Sequence, residues 1–204
     1  MIFAIIRDMK PQTFIFFGTV GSGKGTQAEL LKNYLKENKI SDDVVSTSTG
    51  SEYRKLIEGG NYTGIIAKTT VEKGHLQPDF LTISLFTNIL ISFMKENTSV
   101  IADGFPRTIP QSEAFEMAMK FYNRDSIHII YIELDKEEAT KRMMLRGRSD
   151  DTEEGMAKRF DEYVNNVIPS MNYFKDKPGY IMHVIKGKQS IEQVHSDIIK
   201  SLNF

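Results

Sequence analysis

Gly18-Thr19-Val20-Gly21-Ser22-Gly23-Lys24-Gly25-Thr26 is the stretch on which the reading of this chain turns. It follows the apolar run Thr13 to Phe17 directly and precedes a segment in which Ala28, Leu31 and Leu35 recur at helical spacing. The glycines let backbone N–H groups turn inward toward an anion, and the start of the helix adds partial positive charge. Lys24 contributes a point charge able to reach the β- and γ-phosphates of a nucleotide. A glycine-rich turn alone also suits any tight strand-to-helix connection. Strand, glycines, lysine and helix together read as a phosphate loop, with Gly21, Ser22, Gly23, Lys24, Gly25 and Thr26 around the phosphates of a nucleoside triphosphate. The Ser or Thr that usually follows the lysine is replaced by Gly25. Mg²⁺ arriving with ATP is therefore expected on nucleotide oxygens and water, with little direct protein ligation. The same replacement disfavours a P-loop switch protein.

Outward from this loop, strands and helices alternate. Further β-type runs cover Ile127 to Leu134 and Tyr180 to Ile185, with a shorter one at Ser99 to Ala102 and another beginning at Val44-Val45. Ile191, Val194, Ile198 and Leu202 mark a C-terminal helix, and Phe80 to Phe93 an apolar one. Near-continuous apolar strands between helices predict a five-stranded parallel sheet covered on both faces, an α/β three-layer fold in one domain over 1–204. Ser48 to Asp79 interrupts the alternation with helical segments and glycines, and is expected to be a small helical insert over 46–79. The polar Arg146 to Asp151 stretch predicts a short flap, or lid, over 143–153. Asp151 with Glu154 reads as the cap of the helix that follows it.

Composition removes several chemistries. There is no cysteine, so disulfides, thiol catalysis and cysteine-based zinc sites are excluded. The four histidines are scattered without metal-ligand spacing and are assigned no chemistry of their own. A net charge of −1 argues against a nucleic-acid partner. The apolar opening Met1 to Ile6 is too short for a signal-peptide core or membrane span, and Met9 would serve equally well as a start. Thr82, Ser84, Thr87 and Asn88 interrupt the Phe80 to Phe93 helix, which therefore reads as buried. A cytoplasmic monomer without membrane association is expected.

Gly18 to Gln27 resembles the phosphate loop of the adenylate kinase family. Further stretches resemble that family in its own order: Ser48-Thr49-Gly50 with Arg54, Gly74 to Asp79, Asp103-Gly104-Phe105-Pro106-Arg107-Thr108 with Gln111, and Arg146 to Asp151 followed by Arg159 and Tyr163. The resemblance implies a nucleoside-monophosphate kinase with a small monophosphate-binding insert and a very short lid. It implies reversible, Mg-dependent, in-line transfer of the ATP γ-phosphate to AMP, with catalytic Lys24, Arg107, Arg148 and Arg159. On the same basis Arg142, Arg146 and Gln189 join the ATP site. The AMP site takes Thr49, Arg54, the turn His75-Leu76-Gln77, Gly104, Phe105, Pro106, Arg107, Gln111, Arg148 and Arg159. Asp103 would touch Mg²⁺ through water. Gln111 has a competing reading, since Thr108-Ile109-Pro110-Gln111 is also a capping box. Val20, Ser51 and Gln77 depart from the family's usual residues. Within the resemblance Thr49 favours AMP over the alternative of a UMP/CMP kinase, while the other alternative, a catalytically weak nucleotide-binding regulator suggested by the short lid, is opposed by the intact Lys24, Arg107 and Arg159.

Overall fold

The computed structural model describes residues 10–147 and 151–204. The Met1 to Ile6 run, Met9 and Arg148 therefore lie outside the described residues. Five strands, β1 (Thr13–Phe17), β2 (Val44–Ser48), β3 (Ser99–Asp103), β4 (Ile127–Glu133) and β5 (Tyr180–Lys186), form one sheet in the order β2-β3-β1-β4-β5. Every pairing is parallel. All five residues of β1 are buried, as a central strand covered on both faces requires.

Two helical layers flank the sheet. On one face lie α1 (Lys24–Glu37) and α9 (Ile191–Ser201), whose Leu31, Leu35, Val194 and Ile198 pack with Phe14, Phe16, Ile130 and Ile132. Full burial of side chains such as Leu31 and Leu35 contributes about 1.5–3 kcal/mol each. The other face carries α4 (Asp79–Phe93), α5 (Ile109–Phe121) and α8 (Ile168–Asn172) over a core of Ile15, Phe17, Phe86, Phe105, Phe115 and Phe174. Phe86 and Phe105 stack there with ring centroids 4.1 Å apart. The remaining helices are α2 (Thr49–Glu58), α3 (Tyr62–Val71), α6 (Lys136–Arg146) and α7 (Glu153–Glu162). A π-helical turn, Tyr163–Val167, joins α7 to α8.

Two sequence readings shift at their boundaries. The helical insert starts at Thr49, because residues 46–48 are the end of β2 and pair with Ile101 to Asp103. The short flap takes in the last turn of α6, Gly147 and the N-cap of α7 at Thr152. The scattered histidines also partly converge: His128 and His183, on adjacent strands, meet at 3.0 Å between ring nitrogens. Burial, with His183 adding to it, pushes the His128 pKa down to about 4, so this pair is a neutral structural contact.

Register positions the functional end of the sheet. Ser48 of β2 and Phe16 of β1 both pair with Asp103 of β3. The residues that follow these strands, Thr49, Gly18 and Gly104, therefore leave the sheet along one carboxyl edge. The chain crosses from β1 to the distant β2 before returning through β3, and only then reaches β4 on the other side. That reversal opens a crevice beyond the strand ends, the usual ligand position in open parallel sheets.

Candidate active site

The phosphate loop is shaped by its glycines. At Gly21 the backbone has φ +82, and a Cβ there would stand 2.7 Å from the Ala139 carbonyl of α6. Only glycine permits both the left-handed turn and the close approach. Gly23, with φ 94, opens α1 without any side-chain cap. Helices α5, α6, α7 and α9, by contrast, are capped by Thr108, Asp135, Thr152 and Ser190. The first N–H groups of α1 thus remain available to an anion.

Lys24 is folded back into its own loop. Its Nζ donates to the carbonyls of Gly18 and Thr19 at 2.8 and 2.7 Å and to Ser22 Oγ at 3.3 Å. No carboxylate pairs with it among the described residues. Burial, aided by Arg107 and Arg146 and opposed by Asp103, pushes the ammonium down to about 8. An incoming phosphate supplies the charge this cation lacks. Asp103 lies beside the loop, its Oδ2 3.3 Å from where a Cβ on Gly25 would be. The absent side chain at 25 leaves this carboxylate facing the helix start directly.

Arg107 is placed by the turn after β3. Its Nε donates to the Gly104 carbonyl at 2.9 Å, and its guanidinium has no carboxylate partner among the described residues. Burial lowers its pKa from the usual value, with Asp103 opposing. Thr49 begins α2 and donates its hydroxyl proton to the same Gly104 carbonyl at 2.8 Å. Arg54 is exposed, lines the cleft and approaches Gly50.

The flap-side cations are held differently. Arg142 donates to Glu138 at 2.8 Å and to the Gly187 carbonyl at 3.0 Å. Arg146 grips Asp151 through two bonds of 3.0 and 2.7 Å, and Arg159 donates to the same carboxylate at 2.9 Å. The Asp151 side chain is only 1% exposed. This corrects the reading of Asp151 as a cap: Thr152 accepts the Gly155 N–H instead, and Asp151 couples two arginines. The flap side also touches the insert. At Gly74, φ +76, a Cβ would come within 2.6 Å of the Gly155 carbonyl in α7, and His75 lies 3.7 Å from Glu162.

The loop and the cations surround one cleft of ≈ 1360 Å³. Gly21 to Thr26, Thr49, Arg54, His75, Leu76, Gln77, Asp103, Gly104, Pro106, Arg107, Gln111, Arg142, Arg146, Arg159 and Gln189 all reach it. Phe105 does not. Expected at the AMP site, Phe105 has its side chain fully buried against Phe86, in the core and away from the cleft. Gln111 does not complete the reciprocal capping box either. Its N–H meets Thr108 Oγ1 at 3.3 Å, but its Oε1 accepts from the Arg107 N–H rather than from the cap residue. Gln189 donates to Asp197 and the Lys186 carbonyl, which turns its amide toward α9.

Among the described residues no group of three or more metal-ligating side chains stands together. Asp103 beside the uncapped helix suits a Mg²⁺ carried in by nucleotide oxygens and water. The arrangement as a whole brings free backbone N–H groups and several cations to one cleft, which suits binding phosphate groups and neutralising their charge.

A sequence profile of the family described as Adenylate kinase matches residues 16–178. The adenylate kinase of Bacteroides fragilis (strain YCH46) is 35% identical over 193 residues, which span 93% of this chain and 97% of that protein. That of Parabacteroides distasonis is 35% identical over 193 residues, covering 93% and 96%. The adenylate kinase of Prochlorococcus marinus (strain MIT 9301) is 33% identical over 184 residues, covering 90% and 94%.

Proposed function

The chain belongs to the adenylate kinase family of phosphotransferases, and we propose that it moves the γ-phosphate of Mg·ATP onto AMP, giving two ADP. The carrying observation is that Lys24 and Arg107, two cations without carboxylate partners among the described residues, share one continuous cleft. A cleft built for a single nucleotide has no use for a second half-buried cation without a carboxylate partner among the described residues. Two such groups cost stability in the free protein and are offset when phosphates arrive.

In this reading the phosphate loop and the start of α1 hold the β- and γ-phosphates, with Lys24 reaching between them. Arg107 grips the acceptor phosphate, and Arg54 approaches it from α2. Arg146 and Arg159, with Arg148, neutralise the charge that spreads over the transferred oxygens. Arg142 and Gln189 belong to the ATP end, and the turn His75-Leu76-Gln77 with Pro106 and Gln111 to the AMP end. Asp103 orients water around the Mg²⁺, which when bound draws charge from the phosphate oxygens. The acceptor phosphate is already anionic, so no strong general base is required. The insert over Thr49 to Pro78 and the short flap close the cleft to water.

Thr49 supports AMP over UMP, whose base has no amino group. Its proton is committed to Gly104, so toward a ligand it only accepts, and the amino group of adenine donates. The test is to supply purified protein with Mg·ATP and, separately, AMP, CMP, GMP or UMP, following diphosphate formation. Fast turnover with AMP is expected. Preference for CMP would keep the chemistry and move the acceptor, while no transfer to any monophosphate would leave a nucleotide-binding regulator.

A further inference from the structure

We infer that Gln27 is a positioning residue for the donor nucleotide: its side-chain amide fixes the turn after β5 against the phosphate-binding start of α1. The inference rests on the proposed placing of ATP across these two elements. Gln27 closes the first turn of α1, its backbone N–H meeting the Gly23 carbonyl at 3.0 Å. It therefore stands directly behind the uncapped N–H groups that a phosphate would meet. The other buried residues of this helix, Ala28, Leu31 and Leu35, are apolar. Gln27 is 2% exposed, and an amide so deeply buried must recover the hydrogen bonds it gave up to water.

It recovers them at one end. Its Nε2 donates to the carbonyl of Ile191, 164 positions away, at 2.9 Å. Its Oε1 is buried with no hydrogen-bond partner among the described residues. A buried oxygen left open costs stability, so packing alone would favour an apolar side chain of the same length here. What the amide supplies is the link through its nitrogen. Ile191 is the first residue of α9, and with Gln189 and Ser190 it lines the cleft.

Other ties hold the opposite end of the same turn. The Gly187 N–H donates to the Glu133 carbonyl of β4 at 2.7 Å, and Arg142 of α6 donates to the Gly187 carbonyl at 3.0 Å. Gln27 adds a tie from the phosphate-binding helix to the α9 end. With the triphosphate at the start of α1 and the acceptor beside Arg107 and Thr49, the donor nucleoside takes the wall of Gln189, Ser190 and Ile191. The Gln27 link thus sets the span that phosphates and nucleoside must bridge together. Without it both half-sites persist but their spacing varies. A ligand touching both is weakened, and one touching the phosphate loop alone is not.

The test is titration calorimetry of Mg·ATP and of Mg-bound inorganic triphosphate on wild type, Gln27→Met and Gln27→Glu, with melting curves alongside. Gln27→Met keeps the length and removes the amide. Its Kd for ATP should rise about three- to tenfold, the loss of one useful hydrogen bond, while its Kd for inorganic triphosphate stays within about twofold of wild type. Gln27→Glu keeps the shape but loses the donor, and should weaken ATP at least as much. In turnover Gln27→Met should raise KM for ATP by the same factor and leave KM for AMP unmoved. Equal weakening of ATP and inorganic triphosphate would make Gln27 part of the phosphate loop's own scaffold. Unchanged affinity for both in Gln27→Met, or wild-type affinity for ATP in Gln27→Glu, would make it a packing residue. Each of these results overturns the inference and leaves the proposed function standing. The calorimetry needs no turnover, so a wild type that phosphorylates no monophosphate removes the proposed function, while the ratio of the two Kd values still decides for or against Gln27.

Discussion

The cations of the cleft fall into two sets that differ in what they touch. On the floor, Lys24 is bonded to carbonyls and a hydroxyl, and Arg107 to a carbonyl. On the flap side, Arg142 pairs with Glu138, while Arg146 and Arg159 share Asp151. The floor is thus electrostatically unsatisfied and sterically fixed, held by a loop and a turn that leave the rigid edge of the sheet. The described flap-side arginines are paired with carboxylates of α6 and of the residue before the α7 cap. In the proposed reaction a phosphate entering the floor would complete it, whereas one engaging the flap side would compete with carboxylates. Under the proposed function the difference implies a division of labour: the floor would supply binding and alignment from the start, and the flap side would deliver its charge only when the carboxylates can share it.

The largest expected effect follows from the floor. Arg107→Met should lower kcat/KM for AMP by about a thousandfold or more, the scale found when a guanidinium is removed from a phosphoryl-transfer site. Stability should not fall much, because no ion pair is broken. Melting curves beside kinetics test both halves. A large loss of stability with modest loss of activity would place Arg107 among structural groups and erase the contrast.

Asp151→Asn probes the flap, and the expected pattern is the opposite. Removing one partner of a buried charge pair costs about 3 kcal/mol or more, which for a chain of this size lowers Tm by roughly 5–10 °C. Arg146 and Arg159 lose their shared anchor, and misplacing charges near the reacting phosphoryl group should lower kcat by about 10–100-fold. Unchanged Tm and kcat together would show that the pairing seen here sets nothing.

Much of this contrast was hidden from the sequence, and the reasons are physical. The strands were legible because burial on both faces leaves runs such as Ile127 to Ile132 nearly unbroken. The start of the insert was misjudged because β2 lies at the sheet edge, where Ser46, Thr47 and Ser48 look no different from a loop. Asp151 was read as a cap because Asp and Thr at adjacent positions give the same capping signal, and only geometry shows that Thr152 answers it. The phosphate-loop residues were found by local spacing, which Gly21 and Gly23 enforce. The engagement of Gln111 by Asp79, 32 positions away, and of His128 by His183, 55 away, depends on pairings that no local pattern carries. Phe105 sat within a loop motif, yet an aromatic side chain next to a packed helix finds more burial in the core than in a wet cleft.

A pH profile sharpens the comparison without any substitution. Burial pushes the Lys24 ammonium down to about 8. Its charge is present below that pH and lost as pH rises through it, so kcat/KM for ATP should fall about tenfold per unit above pH 8. Bound phosphates restore the cation, so kcat itself should hold to higher pH. A profile flat to pH 10 in kcat/KM would mean the ammonium is not the titrating group that ATP meets.

The smallest effect is expected at Arg142, which tests whether paired flap-side cations are alike. Its partner Glu138 and its own side chain are partly exposed, at 21% and 29%, so solvent screens the pair far more than it screens Asp151. Such an i,i+4 pair is worth a few tenths of a kcal/mol, and Arg142→Met should shift Tm by about 1 °C or less. Its second bond, to the Gly187 carbonyl, ties α6 to the turn after β5 at the ATP end of the cleft. Losing that tie should raise KM for ATP about threefold and leave KM for AMP unchanged. If kcat fell as steeply as in Asp151→Asn, Arg142 would belong with Arg146 and Arg159 at the transferred phosphate, and the boundary would lie between floor and flap rather than within the flap.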